Sequence, residues 1–177
     1  MKTIKLFVTA FFLGMFLCLL VSCNILHPDE KLTLQRKDYA GNELRIDGYY
    51  YYFVQGVDRT VVRFLYKNGI VLWGGTYGIT NINEVESEML GLYSTVRKMK
   101  ESWGVFLVED DKIQYETWAE APDGVCLATR KYFGYIENDT TIHITESYYS
   151  GRNETRNEIW HFKQFDNKPD STNKFIK

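Results

Sequence analysis

The sequence predicts a mainly β protein, an antiparallel eight-stranded meander barrel with one α-helix packed on it or capping it. Three observations lead there. Runs with apolar/polar alternation, rich in Tyr, Phe, Val, Ile and Thr, recur along residues 45–165, each bounded by Gly, Asn, Asp or Pro. The loops between most neighbouring runs are too short for a crossover, so the neighbours pair antiparallel. A single segment carries a helical period, and nothing resembles the strand–helix alternation of a parallel sheet.

The elements follow in order. Asp47-Gly48 leads into Tyr49–Val54. Thr60–Lys67 alternates, with Val62, Phe64 and Tyr66 on one face and Arg63 and Lys67 on the other. Asn68-Gly69 offers the two positive φ angles of a type I′ turn, and Ile70–Tyr77 returns. Residues 83–101 read as the helix, with Asn83 as cap and Glu86 completing a capping box. Val85, Met89, Leu92, Val96 and Met99 make its apolar stripe. Glu84, Glu86 and Glu88 come early and Arg97, Lys98 and Lys100 late, as the helix dipole favours. Trp103–Val108 and Lys112–Trp118 form a hairpin about Glu109-Asp110-Asp111. Leu127–Ile136 and Thr140–Tyr149 form another about Asn138-Asp139, and Glu158–Phe165 is a last strand. Eight strands can close into a small up-and-down barrel, packed solid or hollow enough for one small ligand.

The first residues are of another kind. Lys2 and Lys5 precede an apolar stretch from Leu6 to Val21, the layout of a secretion signal, which ends in Leu20-Val21-Ser22-Cys23. These four residues resemble the lipobox of bacterial lipoproteins. The resemblance implies cleavage between Ser22 and Cys23, a diacylglycerol on the Cys23 thiol and a further acyl chain such as palmitate on the freed amine. Two or three chains hold a protein firmly to a membrane where one does not. Asn24 is not the Asp of the best-known retention rule, so an outer-membrane address is expected, on either face. The expected organisation is a signal peptide over 1–22, a polar tether over 23–44, a barrel domain over 45–165 that includes the helix, and a loose tail over 166–177.

Charge and cysteines narrow the function classes. Lys2 and Lys5 fall in the leader, so the rest of the chain carries 23 acidic against 19 basic residues, a formal charge of −4. That is no footprint for nucleic acid. Beyond Cys18 and Cys23 the one remaining cysteine is Cys126, between Val125 and Leu127, so no intramolecular disulfide is expected and Cys126 reads as a small buried hydrophobe.

A second resemblance rests on looser motifs. Trp103-Gly104-x-Phe106, the acidic turn, Ile113 and Tyr115, together with Leu44–Tyr51 and Phe162–Phe165, look like the hairpins of small lipocalin-like lipoproteins of the cell envelope. The resemblance implies a calycin-type barrel and assigns no activity. The helix departs from it, lying between the third and fourth strands and not after the barrel.

No nucleophile elbow, phosphate loop, HExxH or Cys/His cluster is present, so neither an enzyme nor a cofactor is expected. His143 and His161 fall as diagonal neighbours on the last two strands, where two solvated histidines are a simpler reading than a metal site. The ligand candidates are aromatic: Tyr50, Tyr52, Phe64, Tyr66, Trp73, Trp103, Tyr115 and Trp160. They would line a barrel holding a small apolar or glycan ligand, or else fill a packed core. In the second case the protein is a structural or protein-interaction module of the envelope.

Overall fold

The computed structural model describes residues 28–79 and 81–177. The expected signal peptide, Ser22, Cys23 and His27 lie outside the described residues.

The fold is a closed antiparallel barrel of eight strands in sequence order, with one α-helix between the third and fourth. The strands are β1 (Gly48–Phe53), β2 (Arg59–Leu65), β3 (Ile70–Tyr77), β4 (Trp103–Glu109), β5 (Lys112–Glu120), β6 (Leu127–Asn138), β7 (Thr141–Tyr149) and β8 (Arg152–Gln164). The helix α1 (Ile82–Val96) is followed by a short 3-10 turn (Lys100–Ser102). Pairing of β1 with β8, from Gly48↔Gln164 to Tyr51↔His161, closes the ring.

Turn chemistry sets the register. At Asn68-Gly69 only Gly69 has positive φ (73°). The Gly69 amide donates to Tyr66 O and the Tyr66 amide to Ile70 O, so the link is a type I turn ending in a left-handed residue rather than the expected type I′ turn. The type I′ signature appears between β7 and β8, where Ser150 and Gly151 both have positive φ (50° and 79°). β8 therefore begins six residues before the Glu158 expected from sequence, and His143 faces Ile159.

The helix also starts earlier than its sequence signal. Asn81, not Asn83, is the cap: its side chain accepts from the Asn83 amide at 3.1 Å and donates to Glu84. The buried stripe is Val85, Met89, Tyr93 and Val96, while Leu92 is 39% exposed and Met99 lies beyond the helix. Tyr93 displaces Leu92 because its ring meets Phe64 edge-on at 5.4 Å. The helix ends at Val96, where the indole N–H of Trp103 donates to the otherwise orphaned Arg97 carbonyl.

There are two cores. Alternate residues of β1–β3 (Tyr49, Val62, Phe64, Leu72) face outward and are covered by α1 and Phe165. The intervening residues (Tyr50, Leu65, Val71) face the barrel interior with Phe106, Ile113, Tyr115, Ile142, Ile144 and Trp160. Both faces of β2 are thus buried, which period-two alternation alone does not reveal.

The two flanking segments are docked, contrary to the sequence reading. From Pro28 to Leu44 the chain runs down the outside of the barrel as a strap. The Glu30 amide donates to Leu127 O at the upper end, and the Thr33 and Leu34 amides donate to the Glu116 carboxylate midway. The Tyr39 amide donates to Lys67 O at the lower end. Leu44 and Tyr39 then plug that lower end, Tyr39 lying 5.9 Å from Phe106. The tail after Asp166 is held as well. The Lys168 ammonium donates to Ile46 O and Leu65 O at 2.6 Å each, Arg97 pairs with Asp170 at 2.7 Å, and Phe175 and Ile176 pack on the helix-side core.

The seam between β3 and β4 is the shortest in the ring, with three pairs: Ile70↔Val105, Val71↔Gly104 and Leu72↔Trp103. Gly104 of this seam also lets β4 lie close against β5, since a Cβ would stand 2.2 Å from Glu116 O and 2.7 Å from Thr117 Cγ2. Gly104→Ala is expected to cost about 2–3 kcal/mol by forcing β4 away from β5. Urea unfolding measures this, and a midpoint equal to that of the wild type would contradict it.

Candidate functional site

The barrel interior is half filled. Its lower part, from Tyr50 and Leu65 to Ile142 and Ile144, is packed and leaves only about 10 Å³. Above this floor the barrel opens into a cavity of about 430 Å³ at the end bearing the β1–β2, β5–β6 and β7–β8 links. Beyond Leu72, β3 no longer pairs with β4, and Met99, Glu101 and Ser102 of the helix–β4 link form the wall at that point.

The ring of β2, β6 and β8 sets what lines this mouth. Arg59, Arg63, Arg130 and Arg156 face it, against Glu101, Glu120 and Glu158. Arg156 is committed: it pairs with Glu154 and, at 3.4 Å, with Glu158, and its Nε donates to Ser147. Glu158 also accepts from the Trp160 indole at 3.2 Å. The Arg130 guanidinium lies 4.1 Å over the Tyr149 ring.

Arg63 differs. It is 8% exposed and sits at the base of the cavity, with its guanidinium 5.4 Å from the Trp160 ring and 5.8 Å from that of Tyr115. Its Nη1 donates to Val62 O, its Nε has no partner, and it makes no ion pair among the described residues. The Ser102 hydroxyl in the wall also lacks a partner among the described residues, and the Tyr115 hydroxyl in the floor lies beside the Arg63 side chain. Burial pushes the Tyr115 phenol well above its ordinary pKa, with Arg63 partly opposing.

The eight aromatic candidates divide. Tyr52, Trp73 and Trp160 line the cavity, with the Tyr52 and Trp160 rings 5.8 Å apart. Tyr50 and Tyr115 belong to the packed floor. Phe64, Tyr66 and Trp103 do not reach the interior; they fill the helix-side core, and the Lys168 ammonium caps Tyr66 at 4.3 Å. The sequence reading missed Arg63, which it set on the face opposite Val62, Phe64 and Tyr66. The signal was present: Val61-x-Arg63-x-Leu65 puts one cation in the middle of an apolar face.

Other candidates come to less. His143 is engaged at both ring nitrogens, by Tyr135 at 2.6 Å and Asn157 at 2.8 Å, and His161 lies beside Tyr51. No group of three or more metal-ligating side chains converges among the described residues. Cys126 is half-buried in the β5–β6 loop, not a core residue, and burial together with Asp123, Asp29 and Glu30 pushes its thiol pKa up, away from the thiolate. A larger groove of about 730 Å³ runs between the strap and the tail, but it is shallow and its Lys100 is already paired with Asp29 at 2.8 Å and stacked on Trp118. Among the described residues no helix is long and apolar enough to cross a membrane.

No family model, curated protein or solved structure matches this chain.

Proposed function

We propose that this protein is a lipid-anchored binding protein of the cell envelope that holds one small ligand in the open end of its barrel. The observation that carries the reading is the half-filled interior. A cavity of about 430 Å³ above a packed floor has the size and the mixed aromatic and polar lining of a small-molecule site. The anchor rests on the lipobox-like Leu20-Val21-Ser22-Cys23, and with it the outer membrane as the address.

The strap gives the anchor a direction. Residues 29 and 30 sit at the mouth end, where Asp29 accepts from the Leu127 amide and Glu30 from the Thr129 amide. Only residues 24–27 separate Cys23 from Pro28, a reach of about 18 Å at full extension. A lipidated Cys23 therefore holds the mouth near the bilayer and turns the plugged end away.

Expression of the full chain in a bacterium with an outer membrane tests this. Mass spectrometry of the purified protein is expected to find acyl chains on Cys23, and native mass spectrometry a guest at one per chain. Cys23→Ala is expected to release the protein into the soluble fraction. An unacylated Cys23 would overturn the anchor, and protein that leaves the envelope with no guest and takes up none would overturn the binding role.

A further inference from the structure

We propose that the mouth cavity is a site for a small ring-bearing carboxylate, with the carboxylate seated on Arg63 and the ring between the aromatic walls. This rests on the binding role above and names the ligand class. Three observations carry it.

The first is the state of Arg63. A guanidinium that is 8% exposed and makes no ion pair among the described residues holds an uncompensated charge at the base of a cavity. Such a charge costs stability unless an anion joins it. The second is the setting of that charge. Arg156 is matched by Glu154 and Glu158, whereas Arg63 makes no ion pair among the described residues. One negative charge therefore completes Arg63, which favours a carboxylate over a phosphate dianion. The third is the set of unpartnered polar groups on the same cavity. Among the described residues Arg63 Nε, Arg130 Nε and the fully buried Ser102 hydroxyl have no hydrogen-bond partner. Buried polar groups are almost always satisfied, so these groups describe the acceptor that is to come. A planar carboxylate matches the fork of a guanidinium. Tyr52, Trp73 and Trp160 offer flat faces for the rest of the molecule.

Calorimetric titration with 2-naphthoate, its uncharged amide and inorganic phosphate tests this on the full chain. Wild-type protein is expected to bind one naphthoate and to prefer it to the amide by at least about 30-fold, roughly 2 kcal/mol, with phosphate weaker than naphthoate. Arg63→Met is expected to erase that preference while raising the melting temperature, because it removes a buried unpaired charge. Arg63→Lys is expected to keep part of the preference, and it serves if Arg63→Met fails to fold. The inference is overturned by equal affinity for acid and amide, by no saturable naphthoate binding, by phosphate binding more tightly than naphthoate, or by a preference that survives Arg63→Met. An uncharged native guest would overturn it too, while leaving the binding role in place.

Discussion

Above pH 10 the protein is expected to unfold within about one pH unit, with its tyrosines ionising together as the fold is lost. Among the described residues five phenols are buried: Tyr49, Tyr50, Tyr66, Tyr93 and Tyr115. Burial is the leading cause pushing each pKa above the ordinary value. Cations oppose the shift in part, Arg63 at Tyr115 and Arg97 at Tyr66, and burial outweighs both. Tyr49 donates to the Glu86 carboxylate, Tyr50 to Asp139 O and Tyr93 to Met89 Sδ. In the unfolded chain the same phenols ionise near pH 10. Above that pH the unfolded state holds fewer protons than the folded one, so stability falls as pH rises. Each tyrosine contributes about 1.4 kcal/mol per pH unit, and five contribute about 7, against a total stability of roughly 5–15 kcal/mol.

Lys168 acts in the opposite direction and earlier. Burial draws its ammonium down to about 8, with Asp47 opposing. Between there and the unfolded value of about 10.4 the unfolded state binds more protons, so stability rises with pH. The carbonyls of Ile46 and Leu65 favour the charged form, which limits the gain to about 1–2 kcal/mol. Urea midpoints should therefore climb gently from about pH 8 and collapse beyond about pH 10. Circular dichroism and tyrosinate absorbance, followed together, read the second phase. Tyrosines that ionise independently near pH 10 with unchanged circular dichroism would contradict this account.

The barrel was legible in the sequence because its strands alternate and its turns carry their chemistry locally. What was not legible depends on non-local choices. Thr60–Leu65 is apolar enough to be buried on both faces, and alternation sorts its residues into two sets without saying which set faces the interior. Listing Phe64 and Tyr66 among the barrel-lining candidates left Arg63 on the opposite face; α1 covers Val62 and Phe64, and Arg63 points inward. The same ambiguity moved Phe64, Tyr66 and Trp103 into the expected ligand site. At the helix, both Asn81 and Asn83 can cap with a glutamate three residues on. The choice is made by Glu86, which takes the Tyr49 hydroxyl at 2.8 Å and the Lys163 ammonium at 3.0 Å from across the fold. The strap has no period at all. Leu32, Tyr39 and Leu44 pack onto different parts of the barrel, and its backbone donors are met by a side chain more than eighty residues away.

That side chain is the basis of the second large prediction. Glu116 lies on the outer face of β5, is fully buried, and accepts from the Thr33 amide at 2.7 Å and the Leu34 amide at 2.6 Å. A buried carboxylate held by two N–H donors is a strong pair of bonds, each about 1.5–3 kcal/mol. Glu116→Ala removes both. Leaving the two amides buried and unpaired would cost as much again, so the middle of the strap is expected to lift into water, held only by Glu30 above and Tyr39 below. The net loss is about 3 kcal/mol, or roughly 10 °C in melting temperature for a chain of this size. Trypsin reads the lifting directly, because Lys31, Arg36 and Lys37 flank the bond pair. Cleavage there is expected to accelerate about a hundredfold, in line with the same 3 kcal/mol, while the barrel resists; equal cleavage rates would contradict the role given to Glu116. The consequence for the proposed anchor is specific. Asp29 and Glu30 still hold the upper end of the strap, so the same four residues tie the mouth to the bilayer in Glu116→Ala. Fluorescence quenching by lipid-borne quenchers, from a dye on a cysteine introduced at Asp123 of a Cys126→Ser chain, should therefore be as strong in Glu116→Ala as in the parent.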